Sequence, residues 1–303
     1  SELIPVARSG GITTIMIRPS GGVIAGQTSI AQLSGWTAPE MVKNYEAGLQ
    51  VIWPTAKKQQ DELHEFLEEA RLYDRLRTEA KKQDRLGPLT DPRLEALRPY
   101  IKREKPVFVE AQTRKAIAEA LLFAEKEKLD IILTGGTDAW KLADELKNRK
   151  VPVILGPVMR SPMSKDDPSD APYANAGRLF EAGVKFCIRS DDASNSRNAP
   201  FEAAMAVAYG LPQEQGLRAV TLSAAEVLGI EDQVGSLTPE KTASLVILDG
   251  GPLQHTSNIK GVFIAGKPFA PDSRQIRFYN RYRQRLLEHK SPTTKERSDE
   301  TAE

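Results

Sequence analysis

The side chains with most chemical potential follow short apolar runs. Val107-Phe108-Val109 ends in Glu110, with Gln112 two residues on, and Gly11 to Ile17 ends in Arg18. Val151 to Leu155 runs through Gly156-Pro157 towards Arg160, and Val184 to Ile188 ends in Arg189-Ser190-Asp191-Asp192. A carboxylate buried at a strand end needs a partner. Arg18, Arg160 or Arg189 could supply one for Glu110, and this ion-pair reading is preferred to Glu110 as a metal ligand. Asp191 could cap the turn it shares with Asp192 and Ser194. The pairs Gly21-Gly22 and Gly135-Gly136 also follow such runs. Backbone amides there can cradle an anion beside the arginines, although tight turns that need positive φ explain the glycines as well.

Other reactive groups are few. Cys187 is the one cysteine, lies in an apolar run, and has no histidine near it in sequence, so it is expected to be core. The histidines are His64, His255 and His289. His64 stands four residues before Glu68 in a charged helical stretch and is expected to form a solvated helical pair. None of the three ends an apolar run, so none is expected at a strand-end metal site.

The elements that must position these residues alternate in type. Apolar runs of a few residues at 11–17, 49–53, 107–109, 131–133, 151–155 and 184–188 suit strands buried on both faces. Between them, Ile117, Ala120, Leu121 and Ala124 repeat at helical spacing within 113–128, as do Leu63, Phe66, Leu67 and Ala70 within 57–85. Further helices are expected over 138–148 and 212–228, the latter stopped by Gly229. Alternating strands and helices demand a parallel sheet with right-handed crossovers. Periodicity leaves barrel and open sheet both possible. After Gly229 the runs at 245–248 and 262–264, flanked by glycine turns, read as a small hairpin-type β piece. A basic helix over 272–290 and a polar, disordered tail over 291–303 complete the chain.

Composition narrows the function classes. The chain of 303 residues is 40% hydrophobic and 27% charged, as in a globular protein. Its 42 basic residues nearly balance 41 acidic ones for a net charge of +1, and no apolar run approaches a membrane span. Neither nucleic acid nor membrane is expected as a partner.

Several segments together resemble the amidohydrolase superfamily, in particular its imidazolonepropionase-related branch. They include Gly11-Ile12-Thr13-Thr14, Val107 to Gln112, Leu133-Thr134-Gly135-Gly136-Thr137-Asp138-Ala139 and Ser190-Asp191. Tyr209 to Pro212, Val234 to Leu237, Asp249 to Leu253 and Gly266-Lys267 continue the pattern. The resemblance implies a TIM-like (β/α) barrel over 1–230 that lacks its first strand, and the C-terminal part of a small β-sandwich over 231–271. It also implies that Asp191 holds the catalytic aspartate position, so that a retained general base and a cap on its turn both stay open for it. Glu110 and Gln112 stand where the family carries His-Ala-His, and Gly135 stands at a further histidine position.

The leading expectation is therefore a family domain degenerate at its metal site, without cofactor, acting as a structural or ligand-binding part of a larger protein or complex. Self-association or an upstream segment would complete the barrel. Glu110, Gln112, Arg18, Arg160 and Arg189 would form its binding cluster, with a small anion as possible ligand. The alternative is an active hydrolase of non-peptide C–N bonds, with missing ligands supplied upstream or with zinc or another divalent metal held by Glu110 and Asp191.

Overall fold

A computed structural model describes residues 2–190 and 192–290 of the chain. It opens with helix α1 (Leu3–Ser9) and an antiparallel meander of β1 (Thr14–Ile17), β2 (Ile24–Gln32) and β3 (Val42–Ile52), with the single-turn α2 (Ala38–Met41) before β3. The long α3 (Lys57–Lys82) and α4 (Pro92–Ile101) lead to β4 (Val107–Ala111). Three further units follow: α5 (Arg114–Glu127) with β5 (Ile131–Gly135), α6 (Ala143–Asn148) with β6 (Val153–Leu155), and α7 (Ala171–Ala182) with β7 (Phe186–Ile188). Then come α8 (Ala199–Ala208), α9 (Gln213–Ala219) and α10 (Leu222–Leu228). A second, antiparallel sheet of β8 (Leu245–Leu248), β9 (Ile259–Ile264) and β10 (Lys267–Phe269) precedes the terminal α11 (Arg274–Lys290).

The main sheet has the order β1 to β7 in sequence, and β3 to β7 are parallel. Sequential parallel strands with helices between them curl into a half-barrel. Alternation along β4 separates its two faces. Val107, Val109 and Ala111 join a core with Leu63 and Tyr73 of α3, Leu94 of α4, Ile117 and Leu121 of α5 and Leu179 of α7. Phe108 points the other way, into a cluster with Ile132, Ile154, Cys187 and Val227 of α10. Helices thus cover the convex face, and α10 packs on the concave one. The small sheet buries Val262 and Ile264 against Ala7 of α1 and Leu33, with Ile12 and Ile15 alongside.

The structure adds to the sequence reading in places. Residues 11–17 contribute an antiparallel strand, because Arg18 to Gly22 is too short for the crossover that parallel strands need. β2 carries Gln27, Thr28 and Ser29 and so shows no apolar run. The run at 49–53 is the end of an eleven-residue strand. The helix expected over 212–228 is two, broken at Thr221, whose backbone is non-helical. Residues 139–142 form a 3₁₀ turn before α6. The tail at 291–303 lies outside the described residues.

His64 requires a correction. Its Nδ1 lies 2.8 Å from Oε1 of Glu127, which is buried at the end of α5, so it is a tertiary partner and not a solvated helical pair. Arg71 donates to the same carboxylate at 2.8 Å, to the Glu127 carbonyl at 2.7 Å and to Glu68 at 2.5 Å. This network fastens α3 to α5 across the convex face. Replacing Glu127 by Ala strips His64 and Arg71 of their buried acceptor and is expected to cost about 2–3 kcal/mol. Urea denaturation of the two proteins measures this difference.

Candidate functional site

The concave face carries an apolar row with a polar row above it. Met16 packs on the cluster of Phe108 and Cys187. Two residues further along each strand direction, and therefore on the same face, stand Arg18, Glu110 and Arg189. Gln50, the register partner of Phe108, contributes from β3. The parallel strands all end at this rim, where a barrel of this type gathers its site residues.

Glu110 is the centre. Arg18 Nη1 donates to its Oε2 in a very short ion pair, and Arg189 Nη2 donates to its Oε1 at 3.1 Å. Gln112 Nε2 adds a contact to Oε1 at 3.3 Å, and Arg18 also reaches Gln50 Oε1 at 3.3 Å. Arg18 follows β1 and Arg189 follows β7, the first and last strands of the sheet, so two guanidinium groups from opposite edges meet at one carboxylate near its middle. Burial by itself would push the Glu110 carboxyl up. The Arg189 charge and the Arg18 hydrogen bond outweigh burial and hold it below its ordinary value.

Arg160 stands apart from this pair. Its Nη1 makes a long contact of 3.5 Å to Gln112 Oε1, and Nη2 reaches the Met163 sulfur at 3.2 Å. Its Nε is buried without a hydrogen-bond partner among the described residues. Gln112 Oε1 is also held by the Thr137 hydroxyl at 2.8 Å. Two groups not singled out from sequence hold these loops. Glu202 of α8 accepts the Val158 and Met159 amides at 2.6 and 2.8 Å, which fixes the loop before Arg160. Asn175 of α7 donates to the Gly136 and Thr137 carbonyls at 2.9 Å each, and accepts the Trp140 amide at 3.1 Å. A polar residue in an otherwise apolar helix stripe is the signal that would have found them.

The glycines at 21, 22, 135 and 136 all have positive φ, as tight turns require. Gly135 has a further reason. A Cβ there would sit 2.3 Å from Gln112 Nε2, so the Gln112 side chain fills the space into which a side chain at 135 would grow. Cys187 is fully buried and its thiol is pushed up to about 12 by burial, as suits a core residue. Asp191 lies outside the described residues.

These strand-end residues do not fit a divalent metal. The described strand-end set of Glu110, Gln112 and Gly135 offers one carboxylate, one amide and no imidazole. Both carboxylate oxygens are already bonded to guanidinium groups that would repel a cation. Among the described residues, His64, Glu68 and Glu127 are one group whose ligand atoms lie within 4.8 Å of one another. α5 starts beside the rim at Thr113 and runs its 14 residues, about 20 Å, away from it to Glu127. That group is therefore at the opposite end of the half-barrel from the rim, and Arg71 bonds both of its carboxylates. His255 is exposed in the loop between β8 and β9, and His289 is exposed on α11.

Comparison with known proteins agrees with this architecture. The sequence pattern of the Amidohydrolase family matches residues 91–269. The imidazolonepropionase of Symbiobacterium thermophilum is 35% identical over 102 residues, which are 32% of this chain and 24% of that protein. The imidazolonepropionase of Picrophilus torridus is 36% identical over 83 residues, 26% of this chain and 21% of that protein. The matched part thus spans about a quarter of the curated relatives' own length. The crystal structure of an amidohydrolase from Thermotoga maritima superposes with a TM-score of 0.81 at 24% identity, covering 88% of this chain and 74% of that one, and so shares its fold. With a family match over more than half its length, and with sequence similarity to imidazolonepropionases, the chain belongs to the amidohydrolase family, in the branch related to those enzymes.

Proposed function

We propose that this chain is an amidohydrolase-family domain whose strand-end metal centre has been replaced by an ion-paired cluster, and that it serves as a structural or ligand-binding part of a larger protein or complex. The observation that carries this reading is the Glu110 carboxylate clamped by Arg18 and Arg189. In a working hydrolase of this family a divalent ion lowers the pKa of a bound water and polarises the scissile carbonyl. The clamp puts two fixed cations at the rim instead. They can neutralise and orient an anionic group, but they generate no nucleophile.

The ligand best suited to the rim is a small anion or carboxylate. Arg160 favours it, since its guanidinium is fixed beside Gln112 with a buried Nε that lacks an acceptor among the described residues. On this reading Asp191, at the family's general-base position, performs no turnover. Among the described residues β1 and β7 are each paired on one side only. Such edges invite another strand, which supports self-association or docking of an upstream segment.

The test is metal content and turnover. Elemental analysis of the purified chain is expected to find no stoichiometric zinc, iron or nickel. Assays with added zinc or manganese against amides and cyclic ureides are expected to show no turnover. About one metal per chain that is lost in Glu110→Ala, or hydrolysis that vanishes in Asp191→Asn, would overturn the proposal and restore the active-hydrolase alternative.

Glu110 also sets a pH dependence. Because its folded pKa is depressed, it contributes stability that is complete above its unfolded value of about 4.3 and is lost as pH falls through the lower folded value. The stability difference between wild type and Glu110→Gln is therefore expected to be largest near neutrality and to shrink below about pH 4. Denaturation curves at pH 7, 5 and 3.5 measure it. A difference that stays constant or grows on acidification contradicts the clamp.

A further inference from the structure

The terminal helix α11 stands off the body with an unusual surface. Every residue from Arg274 to His289 is exposed. Phe278, Tyr279, Tyr282, Leu286 and Leu287 are 41–63% exposed, which leaves large apolar groups in water. A lone helix of this length is marginal in water, and its packing partner in the body, the short α1, meets only a small part of it. The helix needs a further surface to lie on.

Spacing decides what kind. Phe278, Tyr282 and Leu286 follow one another at i, i+4 and i+8, with Tyr279 beside them, and make one stripe. Arg274 and Arg285 flank one side of the stripe, stacked over Phe278 at 5.2 Å and Tyr282 at 5.6 Å, and the position of Arg283 flanks the other. Arg277 and Arg281 add to the cationic side. The helix holds six basic residues against Glu288 alone, a charge of +5. The whole chain carries +1, so everything else sums to −4. The near-neutral total conceals a strongly basic helix.

We propose that α11 is a peripheral membrane anchor that lies in the plane of an anionic lipid surface, its aromatic and leucine stripe in the headgroup boundary and its arginines on lipid phosphates and carboxylates. An apolar stripe flanked by arginines, with low overall hydrophobicity, is the pattern of helices that lie on bilayers. Among the described residues no helix is long and apolar enough to cross one. A second copy of the same helix is a poor occupant, because +5 would face +5. Nucleic acid would answer the charge, but it offers no apolar phase for Leu286 and Leu287. This departs from the expectation drawn from overall charge, which averages the helix with the acidic remainder.

The test uses the full chain in a vesicle flotation assay. One set of vesicles is phosphatidylcholine alone, and the other holds about 30% phosphatidylserine. Binding to the anionic vesicles is expected to exceed binding to the neutral ones by about tenfold or more, since each arginine near such a surface is worth roughly fivefold. It should fall steeply when salt is raised from about 0.1 M to about 0.5 M. Leu286→Glu and the pair Arg281→Glu with Arg285→Glu are each expected to release the protein. Their melting temperatures should stay at the wild-type value, because these side chains are exposed. No binding, equal binding to both vesicle types, or binding unchanged in both variants would overturn the proposal. So would release from vesicles by a short oligonucleotide at equimolar amount, or self-association that Leu286→Glu abolishes in a chain that ignores lipid.

Discussion

A half-barrel has a structural problem that a closed barrel does not. Its first and last strands are not joined by a ladder of hydrogen bonds, so the curvature of the sheet must be held by side chains. Here the Glu110 clamp supplies part of that. Arg18 comes from the end of β1 and Arg189 from the end of β7, and both reach one carboxylate on β4. The attraction is strong because the group is largely withdrawn from water. The same withdrawal makes it costly to leave any member alone. Below the clamp, Val227 of α10 and the residues around it pack against Phe108, Ile132, Ile154 and Cys187. A polar tie at the rim and an apolar plug beneath it hold the same curve from two sides.

The convex face repeats the device at the other end of α5. Glu127 is as buried as a core leucine, and it is compensated by Arg71 and paired with His64. Both networks place one carboxylate between donors from separate elements, and both use arginine where a planar, multiply donating cation suits the geometry. Charge compensation, more than apolar burial alone, marks the points where elements of this fold are fastened together.

The strands β4 to β7 were legible because strands buried on both faces are written as unbroken apolar runs. So were Glu110, Arg18 and Arg189, which directly follow those runs, whereas Arg160, expected as a further partner, stands apart from the carboxylate. The meander was not, because β2 and the first half of β3 carry polar residues on a partly exposed surface, where alternation is weak. The break at Thr221 was invisible to helical periodicity, which continues across it. Gln50 lay hidden inside an apolar run, although its neighbours Leu49 and Val51 point to the opposite face. His64 shows the limit most clearly. Its local neighbour Glu68 suggested a pairing, while the partner that bonds to it lies 63 residues away in sequence. A catalytic position for Asp191 was suggested by resemblance alone.

The packing of Gln112 against Gly135 bears on how such a site can change over generations. A side chain at 135 needs the volume that Gln112 occupies, and Gln112 is itself tied to Thr137, Arg160 and Glu110. A single substitution that enlarges residue 135 meets a filled space, and one that removes Gln112 alone leaves buried donors without acceptors. Either change made alone is expected to lower stability. The cluster therefore couples its members: a larger side chain at 135 is tolerated only together with a smaller one at 112, so these positions can change as a set far more readily than one at a time.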